Sequence, residues 1–312
     1  MPSEMSEQGR AAPDREPVTV PGLAEMKLNA EPIVMVTAYD YPSAEVAEAV
    51  GVDLVLCGDT AAMTVLGHSS TTPVSLDEML VLARAVRRGL RTPLLVGDLP
   101  FGSYERSNEQ AIESATRYVK EAGCDVVKLE RGGVSVERAR AIIRAGVPVM
   151  GHVGLTPQTA TALGGFKAQG KTADGAAQIA EEAFALEAAG CFAIVFEAIP
   201  APISELLVPK LGVPVIGIGA GPATDGQVLV WHDLLGIYGG QTPKFVKRYA
   251  ELREAMVGAV GEYAREVRAR AFPSAEHTYS IEPEELTAFR HYLDHESLGA
   301  ASFGGDWAAT EI

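Results

Sequence analysis

Leu54-Val55-Leu56-Cys57-Gly58-Asp59-Thr60 runs four strand-forming residues into a glycine and then into a carboxylate. A strand apolar on both faces belongs in a parallel sheet covered by helices. The carboxyl ends of such strands are where parallel α/β folds keep their chemistry. The same pattern recurs at Leu94-Leu95-Val96-Gly97-Asp98, Val126-Val127-Lys128-Leu129-Glu130 and Ala193-Ile194-Val195-Phe196-Glu197. Four successive apolar strands that each end in an acid place those acids along one rim of one sheet.

The joins between elements repeat as well. Val50-Gly51-Val52-Asp53, Ala122-Gly123-Cys124-Asp125 and Ala189-Gly190-Cys191-Phe192 each put a glycine where a helix ends and a strand begins, a left-handed position that glycine takes cheaply. Ser75-Leu76-Asp77-Glu78 and Ser107-Asn108-Glu109-Gln110 read as capping boxes that open helices. Strands are expected near residues 33, 54, 94, 126, 149, 193 and 215, with an eighth near Leu234–Ile237. Strict β/α alternation without a second composition regime favours an α/β fold of the (β/α)8 TIM-barrel type. An open doubly wound sheet is the alternative. Residues 1–20, rich in Pro, Glu and Ser, are expected to be disordered, residues 21–275 to form the barrel, and residues 276–312 to be an acidic extension. A long helix is expected from Thr242 to about Ala271, and another from Pro283 to Leu298.

Composition narrows the function. The chain has 312 residues, 47% hydrophobic but only 6% aromatic, and a formal charge of −15. Residues 275–312 alone carry eight acids against one base, Arg290. Such a balance argues against nucleic acid or an anionic membrane as partner. Cys57, Cys124 and Cys191 have neither metal-ligand nor redox spacing and read as small buried hydrophobes. No run of 18 apolar residues and no signal-peptide core appear, so a soluble, cytoplasmic enzyme is expected.

If neighbouring strands bring Asp59, Asp98 and Glu130 together, their mutual repulsion calls for a cation. Hard oxygen ligands without Cys or His suit Mg²⁺. Lys128 and Glu130 lie two apart on one strand and point the same way, so an ammonium beside the acids can hold an anionic substrate. Glu197, at the end of another apolar strand, suits a general acid or base. His152, ending Val149-Met150-Gly151-His152, reads as a polar residue lining the site.

The residues taken together resemble the ketopantoate hydroxymethyltransferase family. The matching stretches are Thr37-Ala38-Tyr39-Asp40-Tyr41, Gly58-Asp59-Thr60, Gly97-Asp98-Leu99-Pro100-Phe101, Val127-Lys128-Leu129-Glu130, Gly151 through Gln158, Gly165 through Gly170, Gly217 through Gly221 and Asp225-Gly226-Gln227. The resemblance implies a barrel of the phosphoenolpyruvate/pyruvate-binding type and a homo-oligomer, usually a decamer. It implies Mg²⁺-dependent transfer of a hydroxymethyl group from 5,10-methylenetetrahydrofolate to 3-methyl-2-oxobutanoate, giving 2-dehydropantoate. Carried over by position, Asp59 and Asp98 hold Mg²⁺ with Glu130 completing the site, Asp59, Thr60, Asp98 and Lys128 contact the 2-oxo acid, and Glu197 is the proton acceptor. Three departures stand out. Thr60 replaces the usual Ser, Ala61-Ala62 a Leu-Gly pair, and Arg131 a Gly. They leave room for a different 2-oxo acid in a specialised pathway; a C–C lyase of the same superfamily is the alternative enzyme, and a non-catalytic binding subunit is the reading from another class.

Overall fold

The computed structural model describes residues 15–240 and 242–295. Among these, eight parallel strands close into a barrel in the order β1 to β8: β1 (Ile33–Thr37), β2 (Leu54–Cys57), β3 (Leu94–Asp98), β4 (Val126–Lys128), β5 (Val149–Gly154), β6 (Ala193–Glu197), β7 (Val215–Ile218) and β8 (Gly226–Leu229). The open-sheet alternative is thereby excluded, because β1 pairs with both β2 and β8.

Alternation along each strand divides the apolar residues into two cores. The inner one holds Ile33 and Met35 of β1, Leu54 and Leu56 of β2, Leu94 and Val96 of β3, Val126, Met150, Ala193 with Val195, Ile216 with Ile218, and Val228. The outer one packs Val55, Leu95, Val127, Val149, Val153, Ile194 and Phe196 against the surrounding helices. All three cysteines are buried free thiols, as expected of small hydrophobes. Gly51, Gly123 and Gly190 end helices in the left-handed conformation. Ser75 makes the full reciprocal capping box with Glu78. Ser107 makes half of one: the Gln110 side chain accepts from the Arg106 N–H, one residue before the cap, and donates to the Gly102 carbonyl.

Two expected elements change. The eighth strand is Gly226–Leu229, and Trp231–Leu234 is a short helix. Gly226 is wedged so tightly that a Cβ there would lie 2.4 Å from the Ile33 carbonyl oxygen, which is why the closing strand begins with a residue that carries no apolar signal. The stretch from Thr242 to Tyr249 forms turns, and the long helix spans Leu252–Arg268. The helix from Pro283 is described to His295; its expected last residues, 296–298, lie outside the described residues.

At the amino end, residues 1–14 lie outside the described residues, but the rest of the segment expected to be disordered is fixed. Arg15 bonds to the carbonyls of Gly51 and Val52 and pairs with Asp53. Thr19 then caps an unanticipated helix, Val20–Leu28. Its Leu23 is fully buried with Ile33, Leu54 and Leu94 in the inner core, at the ends of the strands opposite the acids. The chain divides into two compact units after Arg253. In the second unit, the Tyr263 ring packs edge-on against Phe272 at 5.6 Å.

Closure at β8 is testable by stability. Gly226→Ala should cost about 2–3 kcal/mol as an overpacked site, lowering Tm by roughly 5–10 °C in a differential scanning experiment. A shift under 2 °C would mean that β8 tolerates a side chain, against the close packing seen here.

Candidate active site

The inward alternation of apolar residues does not stop at the last apolar position. Two residues beyond Val96 comes Asp98, beyond Val126 comes Lys128 and then Glu130, beyond Met150 comes His152, and beyond Val195 comes Glu197. Each is the next inward position along its strand, or for Glu130 just beyond the end of β4, so the polar site is the final layer of the barrel interior. Asp59 reaches it differently. It follows Gly58 in the turn after β2, and its backbone N–H donates to Asp98 Oδ2 at 3.0 Å.

The register places Asp98 directly beside Lys128 across β3 and β4. Lys128 Nζ lies 2.9 Å from Asp98 Oδ1 and 3.6 Å from Glu130 Oε1. His152 Nδ1 lies 3.3 Å from Glu130 Oε1, and its Nε2 lies 3.2 Å from Glu197 Oε2. The imidazole therefore spans the distance from the acid cluster to Glu197. Side chains of Asp98, Lys128, Glu130 and His152 are at most 4% exposed, whereas that of Glu197 is 15% exposed. Thr60 is half-buried and begins the short helix Ala61–Thr64 without capping it through its side chain.

Two of the acids sit at unusual backbone turns. Arg131, next after Glu130, has φ of 77°, and Ala198, next after Glu197, has φ of 50°. Left-handed non-glycine residues cost on the order of 1–2 kcal/mol. The surrounding pairing enforces both, for the Arg131 N–H donates to the His152 carbonyl at 2.8 Å and that of Ala198 to the Ile218 carbonyl at 2.9 Å.

The electrostatics follow from crowding without water. Burial, with Asp98 and Glu130 nearby, pushes the Asp59 carboxyl far above the usual carboxylate range. Burial also raises Asp98, with Lys128 opposing it. Glu130 is lowered despite burial, because Lys128, His152 and the Gln158 N–H all favour its charge. Burial opposes the charge of Lys128, but the three acids outweigh it and raise its pKa. His152, opposed by burial and by Lys128, is still pushed up to about 9 through Glu130 and Glu197. Two like charges 4 Å apart repel by about 4 kcal/mol at an effective dielectric of 20. Three acids against one ammonium leave a deficit of positive charge in the site, in line with the upward shift of Asp59.

A divalent cation would relieve the same deficit. Among the described residues, no three Asp, Glu, His or Cys side chains stand in ready coordinating arrangement. The donor set nevertheless fits Mg²⁺. It consists of hard carboxylate oxygens, and those of Asp59, Asp98 and Glu130 share one buried site with a single ammonium, Lys128, whose Nζ lies 2.9 Å from Asp98 Oδ1.

Two further residues, given no role from the sequence, belong to the site. Gln158 and Tyr104, both buried, tie Asp59 to Glu130 through the loops. Neither lies on a strand, so alternation could not have found them.

A profile of the ketopantoate hydroxymethyltransferase family matches residues 17–275. The 3-methyl-2-oxobutanoate hydroxymethyltransferase of Moorella thermoacetica is 52% identical over 265 residues, covering 85% of this chain and 98% of its own. Mitochondrial 3-methyl-2-oxobutanoate hydroxymethyltransferase 1 of Oryza sativa is 49% identical over 292 residues, covering 91% of this chain and 80% of its own. Among solved structures, a phosphonopyruvate hydrolase complex with oxalate and Mg²⁺ superposes with a TM-score of 0.55 at 16% identity, over 89% of this chain and 99% of that one. A 2,3-dimethylmalate lyase of the PEP mutase/isocitrate lyase superfamily gives 0.54 at 16% identity, over 88% of this chain and 94% of that one; at such identities the likeness is one of fold. Among the described residues no helix is long and apolar enough to cross a membrane. With a barrel whose inner face ends in carboxylates and one lysine, and with half its residues shared with these transferases over most of its length, the chain belongs to the ketopantoate hydroxymethyltransferase family and is an enzyme of that family.

Proposed function

We propose that the chain transfers a hydroxymethyl group from 5,10-methylenetetrahydrofolate to 3-methyl-2-oxobutanoate, consuming water and yielding 2-dehydropantoate and tetrahydrofolate. One observation carries this reading: Asp98, Lys128 and Glu130 share one buried site with Asp59, and His152 links that site to Glu197. Asp59 and Asp98, with Glu130 completing the set, would hold Mg²⁺, which when bound supplies Lewis-acid polarisation of the keto and carboxylate oxygens of the oxo acid.

The protein's own groups do the rest. Lys128, kept protonated by its acids, balances negative charge as it develops on the keto oxygen. Glu197 takes the C3 proton, leaving an enolate whose C3 forms the new carbon–carbon bond to the one-carbon unit. His152 holds the Glu197 carboxylate in place through Nε2 while Nδ1 faces Glu130. Thr60, at the head of the helix after β2, contacts the oxo acid.

The test is turnover by purified protein. With Mg²⁺, methylenetetrahydrofolate and 3-methyl-2-oxobutanoate, mass spectrometry should find dehydropantoate, and a panel of 2-oxo acids in the same assay should rank this substrate first. EDTA should remove at least about 99% of the rate, and added Mg²⁺ restore it, as expected when a metal supplies several kcal/mol to the transition state. Turnover indifferent to EDTA would refute the metal role. A different oxo acid at the head of the panel would move the assignment to that substrate and point to Thr60.

A further inference from the structure

Gln158 lies in the single turn Pro157–Thr159 after β5 and is 4% exposed. Its side-chain Nε2 donates to Asp59 Oδ2 at 3.0 Å and to the Leu99 carbonyl at 2.9 Å. Its Oε1 accepts from the Tyr104 hydroxyl at 2.6 Å, and its backbone N–H donates to Glu130 Oε2 at 3.1 Å. Tyr104 OH in turn accepts from the Glu130 N–H at 3.3 Å. One residue thus bonds to two of the three carboxylates and touches the loops after β2, β3, β4 and β5.

The orientation of this amide is not interchangeable. The Leu99 carbonyl can only accept, so Nε2 must face it, and the same nitrogen then faces Asp59. The Tyr104 hydroxyl, already accepting from Glu130, has its proton free for Oε1. Every polar atom of the Gln158 side chain is satisfied.

We propose that Gln158 is a positioning residue that sets the carboxylates of Asp59 and Glu130 for a divalent cation, with Tyr104 fixing its amide. The inference rests on the metal site described under the proposed function. A neutral amide has an advantage over a Lys or Arg at this position. It fixes one oxygen of Asp59 without cancelling the charge that a cation needs, and it leaves the other oxygen uncommitted. The backbone N–H fixes Oε2 of Glu130 in the same way, while Oε1 faces His152 and Lys128. Partners of this kind behind metal ligands typically contribute tenfold to a hundredfold in affinity.

The test is a Mn²⁺ titration of the substrate-free protein, read by loss of the free-ion electron paramagnetic resonance signal. Parent, Asp59→Asn, Gln158→Met and Tyr104→Phe are compared. Gln158→Met keeps the volume and the backbone donor but removes the amide, and should weaken Mn²⁺ binding about tenfold or more. Tyr104→Phe removes one hydroxyl and should weaken it about threefold or more, through the loosened amide. Raising the metal concentration should recover kcat in both variants, a rescue that a merely misfolded core would not show. If circular dichroism shows Gln158→Met unfolded, Tyr104→Phe decides alone. Binding within twofold of the parent in the folded variants overturns the inference while leaving the metal site intact. A parent that binds no Mn²⁺ overturns the metal reading and this inference with it.

Discussion

Asp98→Asn should lower kcat/KM for the oxo acid by about a thousandfold or more, some 4 kcal/mol of transition-state stabilisation. The substitution preserves shape but defeats the local donor–acceptor pattern. In the parent, Oδ2 accepts the Asp59 N–H and Oδ1 faces the Lys128 ammonium. An asparagine offers one oxygen and one NH₂. With the oxygen toward Lys128, the amide nitrogen meets the Asp59 N–H; reversed, it meets the ammonium. In either orientation a donor meets a donor, so the variant loses a cation ligand and also disturbs the two neighbours that define the site. Asp98→Ala would remove the same ligand but leave a buried ammonium short of a partner, a change that destabilises by several kcal/mol and mixes folding with catalysis. The isosteric change is therefore the sharper experiment, with thermal denaturation as control. Retention of a tenth of the parental kcat/KM would show that Asp98 is not part of the cation site.

Much of this site was legible because a barrel interior is read with a period of two. Asp98, Lys128, Glu130 and Glu197 each continue the inward series begun by Val96, Val126 and Val195, so their convergence required only that the strands be parallel and consecutive. His152 continues the series from Met150 by the same rule, and reading it as a lining residue captured its place but not its bridging. Asp59 is off that register; it was found by its position after an apolar strand, and its contact with Asp98 comes from the turn. Gln158 and Tyr104 sit in loops, where no periodicity exists, and their roles depend on long-range closure. The eighth strand was misplaced for a related reason. Gly226–Leu229 has only Val228 in the inner core, while the more apolar Leu234–Ile237 begins on the last residue of a short helix. The final strand is held by neighbours on both sides and needs little apolar signal of its own.

Glu197→Gln should lower kcat by about 10²–10⁴-fold, the range for loss of a positioned general base, while KM for the oxo acid changes less than about threefold, as expected when a group acts in the transition state rather than in binding. The geometry separates the two effects. Glu197 touches His152 and not Lys128, Asp98 or Glu130 among the contacts made at the site, so the groups that would hold cation and substrate charge stay in place. Mn²⁺ affinity should accordingly remain within twofold of the parent, unlike that of Gln158→Met. The decisive readout omits the folate altogether. Incubated in D₂O with Mg²⁺ and 3-methyl-2-oxobutanoate, the parent should exchange the C3 hydrogen for deuterium, because proton removal precedes carbon–carbon bond formation. Glu197→Gln should lose that exchange to the same degree as it loses turnover, since both reactions share the proton transfer. Exchange at the parental rate, with turnover lost, would place Glu197 at a later proton transfer and require another base for C3. Turnover and exchange both intact would remove Glu197 from the chemistry and leave it as the partner of His152.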